Sequence, residues 1–349
     1  MKNTIETINT KHGVVTLYTL VNNMGASVTL STLGAGITSI IVPDRAGQMA
    51  DVVLGYDDVE SWFYDGPCAG KVPGRYANRI ARGHLEVDGK VYQLAINNGP
   101  NALHGGPEGF QNKIWESEAD SDDRVVFTLV SPDGDEHYPG RLVARVAYTW
   151  TEDCVLKIEL SATTDAPTVV NLTNHTYFNL AGESSGTVLN HELQLNCSRY
   201  LPTDDTLIPT GEMAPVEGTP MDFTQPKALG RDIKADFPAL NYGKGYDNCW
   251  LIDDADDQQL HKAATLTDRG SGRVLEVVTD QPGAQVYTGN WLSGCPTSKS
   301  GKAYADYDGV AIECQGLPDA PNKPEFPSQL LLPDEDYVRN IFFIFKTTD

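Results

Sequence analysis

A lone histidine among amides, hydroxyls and aromatics, in Asn171-Leu172-Thr173-Asn174-His175-Thr176-Tyr177-Phe178-Asn179-Leu180, is the stretch of this 349-residue chain best equipped for proton chemistry. An imidazole with its ordinary pKa of about 6.5 gives or takes a proton near neutrality. Asn174 and Tyr177 add the neutral hydrogen-bonding groups that a polyol requires. A histidine beside apolar residues also serves as a satisfied structural group, so the stretch alone does not make a site. Its two Asn-x-Thr triplets, beginning at Asn171 and Asn174, match a glycosylation sequon, which has meaning only in a secreted chain.

Four other stretches place polar groups in strand-like or glycine-rich surroundings. Gly74-Arg75-Tyr76-Ala77-Asn78-Arg79-Ile80-Ala81-Arg82 sets an amide beside a guanidinium. It lacks the Gly-Lys-Ser/Thr ending and the following helix of a phosphate cradle, and a solvated basic loop has the same composition. In Leu103-His104-Gly105-Gly106 the glycines let an imidazole and the backbone approach a ligand, or simply turn the chain. Tyr246-Asp247-Asn248 and Gln285-Val286-Tyr287-Thr288-Gly289-Asn290-Trp291 mix amides and a carboxylate with aromatic faces, a combination that suits the C–H faces and hydroxyls of a pyranose. One further carboxylate, Glu313 in Val310-Ala311-Ile312-Glu313-Cys314-Gln315, points away from the apolar face formed by Val310, Ile312 and Cys314. On a desolvated concave surface its pKa rises and it becomes a base competent near neutrality; on a wet surface it is an ordinary strand residue. His104 and His175 have no i, i+4 histidine partner and no cysteine pair, so no metal site is expected.

The elements that must carry these groups are strands. Leu142, Ala144, Val146, Tyr148 and Trp150 alternate on one face, as do Leu156, Ile158, Leu160 and Ala162, then Leu193, Leu195 and Cys197. Asp88-Gly89 between β-prone flanks predicts a tight type I′ hairpin, and Pro132-Asp133-Gly134 and Pro282-Gly283 punctuate similarly. No window shows a capped 3.6-residue apolar stripe, so helices should be short and few. The class is all-β, and without a linker or repeat the expectation is one domain over residues 1–349. The loop-rich Pro202 to Pro238 region contains Leu, Ile, Met and Phe, which argues against disorder but leaves open whether it covers a core or carries function.

A formal net charge of −22 repels phosphate backbones and anionic lipid, so neither nucleic acid nor membrane is expected as a partner. The six cysteines form no Cys-x-x-Cys pair and read as reduced and mostly buried. With no apolar signal segment and no run approaching about 18 apolar residues, the expected address is cytoplasmic.

Taken together, these motifs resemble the aldose 1-epimerase (galactose mutarotase) family along nearly the whole chain. The likeness rests on Gly74 to Ala81, Leu103 to Gly106, Asn171 to Leu180, and Leu201-Pro202-Thr203-Asp204 with Ile208-Pro209-Thr210-Gly211. It continues through Tyr246-Asp247-Asn248, Tyr287-Thr288-Gly289-Asn290, Ile312-Glu313 and Pro318-Asp319-Ala320 to Phe326-Pro327-Ser328. The resemblance implies a large antiparallel β-supersandwich with a sugar site on its concave face, no metal and no organic cofactor. It implies Glu313 as general base and His175 as general acid. Asn78, Arg79, His104, Thr176, Tyr177, Asp247 and Gln285 join His175 as sugar-binding positions, with the ring lying against Tyr177 and Trp291. The substrate would be a free aldohexose; the oligomeric state stays open, with a monomer favoured.

Two positions depart from the family pattern: Pro73 before Gly74-Arg75, and His137 where the loop Asp133 to Gly140 commonly has glycine. Three other readings compete. A non-catalytic sugar-binding module needs no acid and base placed together. A glycosidase would use Asp247 and Glu313 as paired carboxylates. A hexose-6-phosphate 1-epimerase would need a cationic pocket, which Arg75, Arg79 and Arg82 keep open.

Overall fold

Period-two alternation marks paired strands, except that Cys197 falls beyond the end of Glu192–Leu195. In the computed structural model, which describes residues 2–256 and 259–348, Leu142–Trp150 and Val155–Thr164 are antiparallel neighbours with Val146 opposite Leu160 and Tyr148 opposite Ile158. Their apolar members are buried, while Arg145, Lys157 and Glu159 between them face outward. The two strands sit within a nine-stranded sheet that also includes the C-terminal strand Tyr337–Thr347. A six-stranded sheet, in the order Tyr177–Phe178, Val310–Gln315, Gly283–Tyr287, Asp247–Leu251, Arg199–Tyr200 and Ala214–Pro215, carries the polar motifs. A five-stranded meander covering Lys2–Thr10 to Met49–Asp51 completes the larger sheets. Every ladder pairing between these strands is antiparallel.

One apolar core runs from Tyr18 to Phe345. The nine-stranded sheet contributes Val146, Leu160, Val277 and Phe343 to it, and the six-stranded sheet contributes Trp250, Val286, Val310, Ile312 and Cys314. Phe178 and Phe343 meet edge to face across the layers, with ring centres 5.0 Å apart. The two sheets therefore pack as a sandwich whose polar strands have one face in the core and the other free for chemistry. The only α-helix among the described residues is Pro238–Gly243, and the remaining helical pieces are single 3-10 turns.

The Asp88-Gly89 hairpin forms as read: Val87 pairs with Lys90 and both turn residues have positive φ, 51° and 72°. Residues 202–238 serve both suggested roles. Val216, Met221, Phe223, Leu229 and Ile233 fill the core, while Asp205, Thr206 and Leu207 line the cleft described below. No cysteine is disulfide-bonded; five are buried and Cys295 is partly exposed. Among the described residues no helix is long and apolar enough to cross a membrane. Asn171 and Asn174 are buried with their amides donating to backbone carbonyls, so neither sequon is open to modification in the folded chain.

Candidate active site

Register builds the site. Gln285 lies directly opposite Glu313, and Cys249 opposite Gln285, across three adjacent strands. Because side chains alternate along a strand, Asp247, Gln285, Tyr287 and Glu313 all leave the sheet on the face opposite Ile312 and Trp250. They line a cleft of about 920 Å³, near the upper end of the range usual for small-molecule sites. His175 reaches the same cleft from the segment before Tyr177–Phe178. Its backbone is held from both sides: its N–H donates to the Lys71 carbonyl at 2.9 Å and its carbonyl accepts from Gly70 N–H at 2.9 Å. Gly70 has to be glycine, with φ of 69° and a would-be Cβ only 1.9 Å from the Ile37 carbonyl oxygen.

At the cleft floor His175 Nε2 lies 3.3 Å from Glu313 Oε1. The second polar atom of each, His175 Nδ1 and Glu313 Oε2, is buried with no partner in the protein, so both groups retain unspent hydrogen-bonding capacity. Burial lifts the Glu313 carboxyl well above its usual range, and Asp247 adds to the rise while Arg79 opposes it. Burial also lowers His175 to about 4. At this separation the two titrate as one unit, and burial favours the arrangement without charge, with the proton on Glu313 and a neutral imidazole.

Around the pair is a fixed set of neutral and charged donors. His104 has φ of 51°, and its Nδ1 accepts from the Asn78 backbone N–H at 3.1 Å, which leaves Nε2 as the protonated nitrogen. Its ring meets that of His175 edge-on at 5.3 Å. Burial, then the charges of His175 and Arg79, keep His104 well below its usual range. Asn78 Oδ1 accepts from Arg79 N–H at 2.8 Å. The Arg79 guanidinium is held by Asn98 Oδ1 at 3.1 Å and lies 3.8 Å from Asp247, whose other oxygen accepts from Gln285 Nε2 at 2.7 Å. Tyr177 packs its ring 5.0 Å from His175 and donates its hydroxyl to Pro67 O, so it presents a face rather than a free hydroxyl.

Asn78, Arg79, His104, His175, Tyr177, Asp247, Gln285 and Glu313 thus line one cleft. Thr176, expected as a sugar contact, is not among the residues that line it. Its hydroxyl and N–H both donate to Asn174 Oδ1, at 2.6 and 3.1 Å, and the residue is buried. Alternation along the backbone sends neighbours of a site residue to the opposite side. Trp291 stands at the mouth, 64% exposed, with Lys244 Nζ 4.1 Å above its ring. The phosphate alternative loses its cations: of the three arginines only Arg79 lines the cleft. Arg75 is buried, donating to the Pro139 and Gly140 carbonyls and to Ser131. Pro73 is buried, and His137 is exposed with φ of 72°, a conformation that glycine adopts most easily.

Sequence reasoning missed Asn98, which orients Arg79, and the buried Asp65–Lys71 ion pair at 2.6 Å beside the cleft. A run of asparagines at 97, 98 and 101 hinted at the first, whereas the pairing of Asp65 with Lys71 depends on tertiary contacts. Among the described residues no three His, Cys, Asp or Glu side chains cluster as metal ligands.

A buried histidine–carboxylate pair, ringed by donors and acceptors on the open face of an all-β sandwich, is the kind of arrangement that proton-transfer enzymes use. Comparison with known proteins gives the family. Residues 16–342 match the aldose 1-epimerase family. The chain is 44% identical to galactose mutarotase of Bos taurus over 319 residues, 91% of each chain, and 40% identical to aldose 1-epimerase of Escherichia coli K12 over 323 residues, 92% of each. Solved structures of an aldose epimerase homologue from C. elegans (32% identity, 95% of this chain and 99% of that one) and of galactose 1-epimerase from Lactobacillus acidophilus (27% identity, all of both chains) each superpose with a TM-score of 0.88. The chain belongs to the aldose 1-epimerase family and is an isomerase.

Proposed function

We propose that the chain interconverts the α and β anomers of free aldohexoses, galactose and glucose, with Glu313 as base and His175 as acid. The observation that carries this reading is the 3.3 Å His175–Glu313 contact at the floor of a sugar-sized cleft, each partner keeping one polar atom unspent. The names of the relatives support galactose as a substrate. The position of Arg75, outside the cleft, supports an unphosphorylated sugar.

In the reactive arrangement Glu313 is ionised and His175 carries the proton. An anomeric hydroxyl donating to Glu313 and a ring oxygen accepting from His175 both favour that arrangement over the uncharged one. Glu313 takes the hydroxyl proton, the O1–H electron pair becomes the second C1–O1 bond of the carbonyl, the C1–O5 bond breaks with its electrons going to O5, and His175 protonates O5. Rotation about C1–C2 presents the other carbonyl face. Closure by O5 returns its proton to His175, while Glu313 returns a proton to O1. Each assisted transfer is worth about 10²–10⁴-fold. Arg79, His104, Asp247 and Gln285 hold the hydroxyls, with the ring packed near Tyr177.

We further read residues 1–349 as one catalytic unit, which the continuous core supports, with a cytoplasmic address, which the unbridged cysteines support, and we favour a monomer. Polarimetry on freshly dissolved α-D-glucose and α-D-galactose tests the activity: relaxation accelerated far beyond the spontaneous rate is expected. No acceleration overturns the reading, as does a higher kcat/KM for glucose 6-phosphate than for galactose. Cleavage of a disaccharide would select the glycosidase, and binding without turnover the sugar-binding module.

A further inference from the structure

Lys71 and Asp65 form an ion pair far more buried than their roles as loop residues require, at side-chain exposures of 1% and 2% and a separation of 2.6 Å. Lys71 Nζ also donates to Trp62 O at 2.7 Å, and Asp65 Oδ2 accepts from Tyr56 OH at 3.1 Å and from Ala69 N–H at 2.9 Å. The aliphatic stem of Lys71 is sandwiched against Gly34 and Gly36, where a Cβ would come within 2.9 and 3.2 Å of it. Such a pair is a poor route to stability, because desolvating two charges costs several kcal/mol per ion. Its location suggests a different role. Lys71 is the residue whose carbonyl accepts from His175 N–H, its neighbour Gly70 donates to His175 O, and Asp65 lines the cleft.

We propose that the Asp65–Lys71 pair is a positioning device for His175, locking the segment that clamps its backbone and setting, through two opposed charges, how readily its imidazole takes a proton. Other groups face that imidazole from each packed element: Glu313 at 3.3 Å, His104 edge-on at 5.3 Å, and the rings of Tyr177 and Tyr287 at 5.0 and 6.5 Å. Asp65 favours the protonated imidazole and Lys71 opposes it. The two contributions oppose each other, Asp65 being the larger, so removing Lys71 leaves that of Asp65 unopposed. Tyr56 OH and Ala69 N–H each donate to the Asp65 carboxylate, so it keeps two of its partners after loss of Lys71.

The kinetic consequence rests on the assignment of His175 as acid, so the test reads the imidazole directly. The midpoint of His175 is followed by NMR of histidine-labelled protein in wild type, Lys71→Met and Asp65→Asn. Lys71→Gln, which keeps a donor for Trp62 O, replaces Lys71→Met should that variant not fold. The midpoint is expected to rise by about one pH unit without Lys71, the scale of a nearby uncompensated charge, and not to rise in Asp65→Asn. A merely structural pair would give no shift, or the same shift in both variants, and either result overturns the proposal. Activity is measured separately: opposed midpoints with unaltered pH–rate profiles would leave the positioning intact and remove His175 from the chemistry.

Discussion

The strand Val310–Gln315 is buried along its whole length, yet its two faces belong to different environments. Val310, Ile312 and Cys314 enter the main core among aliphatic and aromatic neighbours, while Glu313 and Gln315 on the other face bury polar atoms that no protein group satisfies. The first face is stabilised by transfer from water and close packing. The second costs stability, since each unsatisfied buried group forfeits about 1–3 kcal/mol. Burial by itself therefore does not distinguish core from site. What sets Glu313 apart is that its unpartnered oxygen lies in the cleft beside His175, whereas Gln315, equally unpartnered, lies outside the cleft lining.

The comparison breaks most sharply at Glu313 and His175. Glu313→Gln keeps shape and an acceptor but cannot take a proton, and His175→Asn keeps a donor but cannot cycle. Each is expected to lower kcat by at least about 10²-fold, about 2.7 kcal/mol of barrier, with a much smaller change in KM. A polarimetric kcat near wild type in either variant removes that residue from catalysis, and a rise in KM alone makes it a binding group.

A second expectation concerns pH, where activity changes about tenfold per unit on each limb. The active pair carries one proton. Below about 4 His175 gains a second, and above the raised titration of Glu313 the pair loses its only one, so kcat/KM traces a bell between those limits. In His175→Asn the residual activity needs ionised Glu313, so it rises with pH and the alkaline limb vanishes. In Glu313→Gln it needs protonated His175, so it falls with rising pH and the acidic limb vanishes. Profiles that slope the same way in both variants contradict the assignment.

A smaller effect is expected at Asp247, which joins Arg79 to Gln285 without touching the reacting pair. Asp247→Asn removes a charged acceptor, and the KM for galactose is expected to rise about tenfold, in line with the worth of a hydrogen bond to a charged group, with kcat within a few-fold of wild type. A larger loss in kcat than gain in KM would move Asp247 into the chemistry.

How much was legible follows the same division between faces. Alternation made Leu142 to Trp150 and Leu156 to Ala162 readable as strands, because a half-buried sheet imposes a period of two, and turn chemistry placed Asp88-Gly89. Topology was not legible from the pattern: the supersandwich arrangement entered only through family resemblance, and the register that sets Gln285 opposite Glu313 entered only with the structure. The same resemblance included Thr176, which its neighbours turn inward, and it was silent on Asp65 and Lys71, whose partnership exists only once the loops are folded. Arg75 illustrates the reverse error, since a guanidinium in a glycine-rich stretch reads as solvated but is buried holding the 131–140 loop.

The least effect is expected on the core face of the same strand, and it sharpens the comparison because it lies one residue from Glu313. Ile312 is 1% exposed and points into the packed layer between the two sheets. Ile312→Val removes one methylene without a polar consequence, and such changes cost about 0.5–1.5 kcal/mol. The ladder partners of Glu313 are backbone groups of Gln285, which the substitution leaves in place. A lower urea midpoint with an unchanged slope is therefore expected, with kcat and KM for galactose at wild-type values. A tenfold fall in kcat with little loss of stability would mean that Glu313 is aimed by the packing behind it, and the two faces of the strand would then have to be treated as one device.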